Sequence, residues 1–220
     1  MQELLNAIKE GNAEKVKDLL AVQADLANQI IPQQGISPLM LAIYYRKAEV
    51  ISAIRQFRQE INIFEASSLG EMDFVKQYFE NQIDKLNVYS PDGFTCLGFA
   101  CFFGHLEVAK FLIEKGTDVN LPSNNAFQVA PIHSACAISN YEIAYLLLRN
   151  GANPNAKQQN GVTPLHSAAH HGQTQLAKLL INYGADIYAK MDKGQTPLMM
   201  AEEQNFEEMV KLLREIMLQK

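Results

Sequence analysis

Thr163-Pro164-Leu165-His166-Ser167-Ala168 returns 33 residues later as Thr196-Pro197-Leu198-Met199-Met200-Ala201. The same hexad stands, with substitutions, at Ala130-Pro131-Ile132-His133-Ser134-Ala135, Thr95-Cys96-Leu97-Gly98-Phe99-Ala100 and Ser37-Pro38-Leu39-Met40-Leu41-Ala42. Two weaker copies centre on Ala66 and Ala7. The seven aligned alanines are therefore Ala7, Ala42, Ala66, Ala100, Ala135, Ala168 and Ala201, at steps of 35, 24, 34, 35, 33 and 33. Other columns keep the register. Four residues after each alanine stands Gly11, Arg46, Gly70, Gly104, Ser139, Gly172 or Asn205. Seven after it stands Glu14, Glu49, Asp73, Glu107, Glu142, Gln175 or Glu208. Twelve after it the residue is always apolar. Such a period marks an array of stacked units that spans the chain.

Each unit reads as helix, turn, helix, hairpin turn. A Thr or Ser side chain caps the free N–H groups that open a helix, and Pro in the next position gives up nothing there. Thr163-Pro164 thus opens a short helix that ends near Gly172. Leu176, Leu179, Leu180 and Tyr183, at three- and four-residue spacing, give the next helix one apolar face. Gly184 ends it, as Gly116 and Gly151 do in their copies. Asn160-Gly161 and Lys193-Gly194 mark the turn before the next Thr-Pro. One such unit is too small to bury its apolar face, so neighbours must stack.

These features resemble the ankyrin repeat family, most closely at Gly161 through Ala168, at Gly184-Ala185-Asp186, and at Gly151-Ala152-Asn153 with Asn155. The resemblance covers essentially the whole chain. It implies an all-α solenoid of about seven helix-turn-helix repeats, an L-shaped stack with hairpin fingers along one edge. The repeats fall at about residues 1–30, 31–62, 63–89, 90–123, 124–157, 158–190 and 191–220 of a single repeat domain over 1–220. The first repeat carries Lys9, Glu10, Glu14, Lys15, Lys17 and Asp18, and the last Glu202, Glu203, Glu207, Glu208 and Lys211. Terminal repeats need a polar outer face, so both are read as caps, and the expectation is a complete array. The step from Ala42 to Ala66 is nine residues short of 33. Glu60-Ile61-Asn62 leads straight into Phe64-Glu65-Ala66, so the third repeat lacks its finger and Asn62 caps the helix that follows. The loss is read first as a neutral deletion in a tolerant loop, and second as a gap that widens the groove beside repeats 2 to 4.

Composition narrows the function. The chain has 220 residues, 24 acidic and 19 basic, for a net charge of −5; 48% are hydrophobic and 20% charged. That balance, without a basic block, lacks the field that holds nucleic-acid phosphates. No apolar stretch approaches the roughly 18 residues that span a bilayer, and Glu3, Lys9, Glu10 and Glu14 leave no secretory run at the N-terminus. Three cysteines, Cys96, Cys101 and Cys136, are too few for a disulfide framework. A reduced, cytoplasmic, soluble chain is expected.

No site for catalysis stands out. The resemblance places His133 and His166 where the family uses histidine to bond neighbouring loops, and His105 after Gly104 in another structural position. His170 and His171 are adjacent, so on a helix their side chains diverge by about 100° and grip one metal poorly. Cys101 and Cys136 each follow an aligned alanine, where a small buried side chain fits. Stacked repeats would separate them by about 8–10 Å, beyond the roughly 7 Å that a disulfide tolerates. No phosphate-binding loop, paired-carboxylate motif or His-Glu-x-x-His pattern is present. The expectation is no enzyme, no cofactor and no metal.

What remains is surface. In the family the residues two and three after the aligned alanine face the concave side and meet partners. Here they run from polar ends to a centre of Tyr44/Tyr45, Ser68/Leu69, Phe102/Phe103 and Ala137/Ile138, followed by His170/His171. The residues just before the helix caps add Ile36, Phe94, Val129, Val162 and Gln195, and Phe127 lies beside a two-residue insertion in its finger. Clustered exposed aromatics mark binding surfaces. The partner-binding set is thus Ile36, Tyr44, Tyr45, Leu69, Phe94, Phe102, Phe103, Phe127, Ile138, His170 and His171, with Lys157, Lys190 and the two histidines as a polar end. The expected function is non-catalytic recognition of another protein by the groove over repeats 2 to 6, with no nucleic acid or membrane as partner, and a monomer rather than a homodimer. The alternatives are a small-molecule enzyme or ligand or metal site near His170/His171, and a homodimer closed by the same apolar strip.

Overall fold

The computed structural model describes residues 1–32, 34–58 and 60–218; the last two residues of the seventh repeat lie outside them. Among the described residues there are fourteen α-helices and no strand. They form seven pairs: α1 (Gln2–Glu10) with α2 (Ala13–Val22), α3 (Pro38–Tyr44) with α4 (Ala48–Phe57), α5 (Ile63–Leu69) with α6 (Met72–Asn81), α7 (Cys96–Phe103) with α8 (Leu106–Glu114), α9 (Pro131–Ala137) with α10 (Tyr141–Arg149), α11 (Pro164–His170) with α12 (Thr174–Asn182), and α13 (Pro197–Glu203) with α14 (Glu207–Leu218). Odd-numbered helices pack on odd ones to make an inner row, and even-numbered helices stack beside them as an outer row. This is the all-α solenoid that the repeats imply.

The joint inside every pair explains two sequence columns. Each aligned alanine is completely buried, because its methyl group sits where neighbouring helices meet. Its carbonyl accepts a bond from the N–H five residues on, at 2.8–3.1 Å: Asn12 to Ala7, Lys47 to Ala42, Glu71 to Ala66, His105 to Ala100, Asn140 to Ala135, Gln173 to Ala168 and Phe206 to Ala201. Such a closure needs a left-handed residue between. The residue four after each alanine supplies it in all seven copies, with φ from 53° at Arg46 to 84° at Gly104. Glycine adopts that conformation freely, which accounts for four of the seven.

The helix starts also follow the sequence. Ser37, Thr95, Thr163 and Thr196 side chains accept the backbone N–H three residues on, and Gly116, Gly151 and Gly184 end their helices left-handed. Fingers hold hands in a row: Asn124 N–H donates to Gly93 O at 2.7 Å, Gln159 N–H to Phe127 O at 2.9 Å, and Asp192 N–H to Asn160 O at 3.0 Å. On the opposite side of the joints, asparagines do the same work. Asn120 accepts from Asn153 N–H and donates to Gly151 O, and Asn155 repeats the pattern with Asp186 and Gly184.

The third repeat has no finger, and Asn62 caps α5 in a reciprocal box with Glu65. The finger row does not stay open at that point. The flanking fingers close on each other, so that a Cβ on Gly35 would lie 3.2 Å from Pro91 Cβ. Beneath them the stack changes character. The apolar core divides into one cluster over repeats 1 and 2 and another over repeats 3 to 7. Phe99 belongs to the first although its helix belongs to the second, and Ile61 and Phe64 pack against both. In the outer row α4 and α6 scarcely touch. Polar bonds take over at this junction. Glu65 has no exposed surface, and its carboxylate accepts two bonds from Arg58 at 2.7 and 2.9 Å, one from Asn62 N–H at 2.9 Å and one from the Ser37 hydroxyl. Arg55 pairs with Glu71 nearby.

A buried ion pair adds little over an apolar substitute, but removing one member strands the other. Arg58→Met is therefore expected to lower stability by about 3–5 kcal/mol in urea unfolding. A loss below about 1 kcal/mol would show that Glu65 finds its bonds elsewhere.

Candidate functional site

The short inner helices present their last residues at the inner rim, and there the aromatics of repeats 2 and 4 meet. Tyr44 lies 6.2 Å from Phe99 and 6.0 Å from Phe103 between ring centroids; Phe94 lies 5.5 Å from Phe99, and Phe102 stands edge-on to Phe103 at 5.1 Å. The Tyr44 hydroxyl donates to Asp92, 48 residues away on the finger of repeat 4, and Ser90 donates to the other oxygen of the same carboxylate. Burial, reinforced by the Asp92 bond, holds the Tyr44 hydroxyl protonated well above the usual phenol range.

This arrangement leaves a small apolar socket of about 90 Å³, walled by Tyr44, Phe94, Phe99, Phe102 and Val129 with Ser134 at its edge. The Ser134 hydroxyl is buried and has no hydrogen-bond partner among the described residues. Three different repeats contribute, so the socket exists only in the stack.

The predicted binding residues divide. Tyr45 and Phe127 are exposed, at 46% and 57%, the first beside the aromatic cluster and the second at the tip of the finger that carries Val129. Tyr44, Phe94, Phe102 and Phe103 are half-buried, sharing their rings between cluster and solvent. Leu69 packs partly into the first core, and Ile138 lies over the Gly104 joint. Ile36 is a correction: it is 9% exposed and belongs to the core, because the finger of repeat 4 closes over the place where it would have met solvent. His170 and His171 are exposed, with rings edge-to-face at 4.9 Å, and His171 Nδ1 is 2.8 Å from Ser167 O. Lys157 and Lys190 share a shallow hollow with Asp186 and Tyr188, which the histidines do not line.

Sequence reading missed three contributors. Phe99, one residue before its alanine, forms the socket floor. Asp92 fixes Tyr44. Arg46 occupies the left-handed joint, with its guanidinium 5.9 Å from the Phe102 ring centroid and 5.8 Å from that of Phe103. The signal for Arg46 was present, as an arginine in a column that otherwise holds Gly, Ser or Asn. A hollow of about 570 Å³ between α8 and α10, with Tyr141 stacked on Tyr145 and Arg149 over Tyr145, was also not foreseen.

The titratable groups in the interior are committed to structure. Burial pushes the thiols of Cys96 and Cys136 up to about 12 and that of Cys101 higher still, which keeps them from acting as thiolates. His133 Nε2 lies 3.0 Å from Ala156 O and 3.2 Å from Val162 O, His166 Nε2 lies 3.1 Å from Gln195 O, and His105 Nε2 lies 2.8 Å from Ser68 O. Each therefore ties one repeat to a neighbouring one. Among the described residues no three His, Cys, Asp or Glu side chains gather as metal ligands, and no helix is long and apolar enough to cross a membrane.

A family model described as "Ankyrin repeats (3 copies)" matches residues 4–123, 63–158 and 132–219. The chain belongs to the ankyrin repeat family. Among its relatives is the probable 26S proteasome regulatory subunit p28 of Saccharomyces cerevisiae, 28% identical over 157 residues, which is 66% of this chain and 68% of that protein. The ankyrin repeat and KH domain-containing protein mask-1 of Caenorhabditis elegans is 36% identical over 97 residues, covering 44% of this chain and 4% of that one. The human BCL-6 corepressor-like protein 1 is 31% identical over 98 residues, covering 44% and 5%. This ankyrin stack thus spans most of the yeast protein and a small part of the other two.

One loop-bonding histidine gives a pH test. His133 is 2% exposed, and burial pulls its pKa down to about 4 despite the carbonyls it bonds. Unfolded, it titrates near the ordinary 6.5. Between these values the unfolded chain binds the proton and the folded one does not. Stability is therefore intact above about pH 6.5 and falls as pH drops toward 4, by about 3 kcal/mol in total for this residue. The buried His166 shifts in the same direction. His133→Gln, which keeps an N–H donor and does not titrate, should flatten the fall when urea unfolding is repeated across that window; identical pH profiles for both proteins would refute the assignment.

Proposed function

We propose that this chain is a non-catalytic module that binds another protein on its inner face, over repeats 2 to 6, with the aromatic socket at the centre. The observation that carries this reading is the socket itself. A cluster of rings would bury itself more fully if stability were its only role. Instead Tyr45 and Phe127 stand in solvent, and the rings of Tyr44, Phe94 and Phe102 surround an empty space about the size of one side chain. Aromatic anchors and complementary pockets of this kind carry most of the energy at protein interfaces.

The ankyrin repeat family is typically non-catalytic, and the interior chemistry agrees with that here: thiols held protonated by burial and histidines bonded to loop carbonyls. Kinship with a protein called a probable proteasome regulatory subunit supports a protein partner, since a subunit works by contact with other chains. We place the protein in the cytoplasm as a monomer when free of its partner, which sedimentation of the purified chain would check.

Tyr45→Glu and Phe102→Ala are the decisive variants. Each should weaken capture of the cellular partner by about 2 kcal/mol or more, roughly thirtyfold, while helicity and melting temperature stay near those of the wild type for Tyr45→Glu. Undiminished capture by both variants would remove the inner face as the binding site.

A further inference from the structure

We propose that the inner face selects a partner segment in which one large apolar side chain enters the socket and a carboxylate, within about two residues of it, pairs with Arg46; this rests on the protein-binding reading above. The socket sets the first requirement. Its volume of about 90 Å³ equals roughly three water volumes, suited to a leucine or methionine side chain.

Arg46 sets the second. Over the positions two to four after the aligned alanine in repeats 2 to 5, it is the one charged residue. It stands in the left-handed joint that four other repeats fill with glycine, at φ 53°, a conformation that opposes any side chain. The guanidinium lies against the rings of Phe102 and Phe103 and makes one long bond, 3.4 Å, to Phe102 O. No carboxylate pairs with it among the described residues, and Asp92, the acid beside the aromatic cluster, is occupied by Tyr44 and Ser90. A guanidinium has five donors arranged as a fork for a carboxylate, so most of them remain free beside the aromatic cluster. The Phe102 ring is both a wall of the socket and the plate under the guanidinium. With Cα atoms about 3.8 Å apart along a chain, one or two residues bridge the two subsites.

The test is selection of a random phage-displayed peptide library on the immobilised full chain. Enriched peptides should carry Leu or Met with Asp or Glu within two positions. They should bind Arg46→Gly about tenfold or more weakly, in a variant whose joint suits glycine and whose folding is verified by circular dichroism. Arg46→Glu used as bait should enrich Lys or Arg in place of the acid. Peptides that lose affinity for Phe102→Ala yet contain no recurrent acid, or bind Arg46→Gly unchanged, would overturn this inference and leave the binding face intact. Failure to enrich any peptide, or peptides indifferent to both Phe102→Ala and Arg46→Gly, would overturn the inference together with the binding reading.

Discussion

Every pair of helices turns on one backbone bond, from the N–H five residues after the aligned alanine to the carbonyl of that alanine, across a residue held left-handed. Inner helices of seven to nine residues are too short to persist alone, so each exists only while its partner folds back against it. The closing bond fixes the angle of return, and the alanine must be small because the joint brings two helices and the next repeat to its side chain. A larger residue there would push apart the inner row, and with it the surface that the row presents. The same geometry decides what the inner face is made of. Residues two and three after the alanine end the inner helix at the rim, and the left-handed residue is the last before the chain turns away.

The junction at Glu65 shows what happens when one part of the repeat is missing. A finger normally passes hydrogen bonds to the next finger and lends apolar cover to the helix starts beneath. With the third finger gone, the outer helices α4 and α6 lose their neighbourly packing, and a buried carboxylate gathers the loose ends instead: the cap of α3 through Ser37, the cap of α5 through Asn62, and the end of α4 through Arg58. An ion pair in such a place costs desolvation that its bonds only just offset. What it provides is direction, since a four-bonded carboxylate admits one arrangement of its partners where apolar packing would admit several.

Much of this was legible in the residues. The alanine and glycine columns announced the joints, the Ser and Thr caps were where they were expected, and the short step before Ala66 marked the missing finger. Histidines at the His133 and His166 positions bond across repeats as the family resemblance implied. Burial was harder to read, because it depends on neighbours that the local sequence does not name. Ile36 occupies a finger position equivalent to that of Phe94, yet it is core, since the finger that covers it comes from two repeats away. Phe102 and Phe103 are consecutive and so point apart on their helix, but both rest against rings from other elements, and a helical wheel places neither. Phe99 carried no signal beyond its place in an aromatic run. Arg46 did, as the one charged residue in a column that otherwise holds Gly, Ser or Asn.

The missing finger also bears on why the socket lies where it does. In an array with every finger present, repeat 2 and repeat 4 would be separated at the edge by the finger of repeat 3. Here Gly35 faces Pro91 directly, and Tyr44 crosses to bond Asp92 and to pack against Phe99 and Phe103. The wall contributed by Tyr44 therefore depends on the deletion, and so does the position of Arg46, two residues farther on, against the rings of repeat 4. A shortened loop has drawn an aromatic and a cation from one repeat onto the aromatic run of another. With the finger absent, repeat 2 meets repeat 4 directly at this edge.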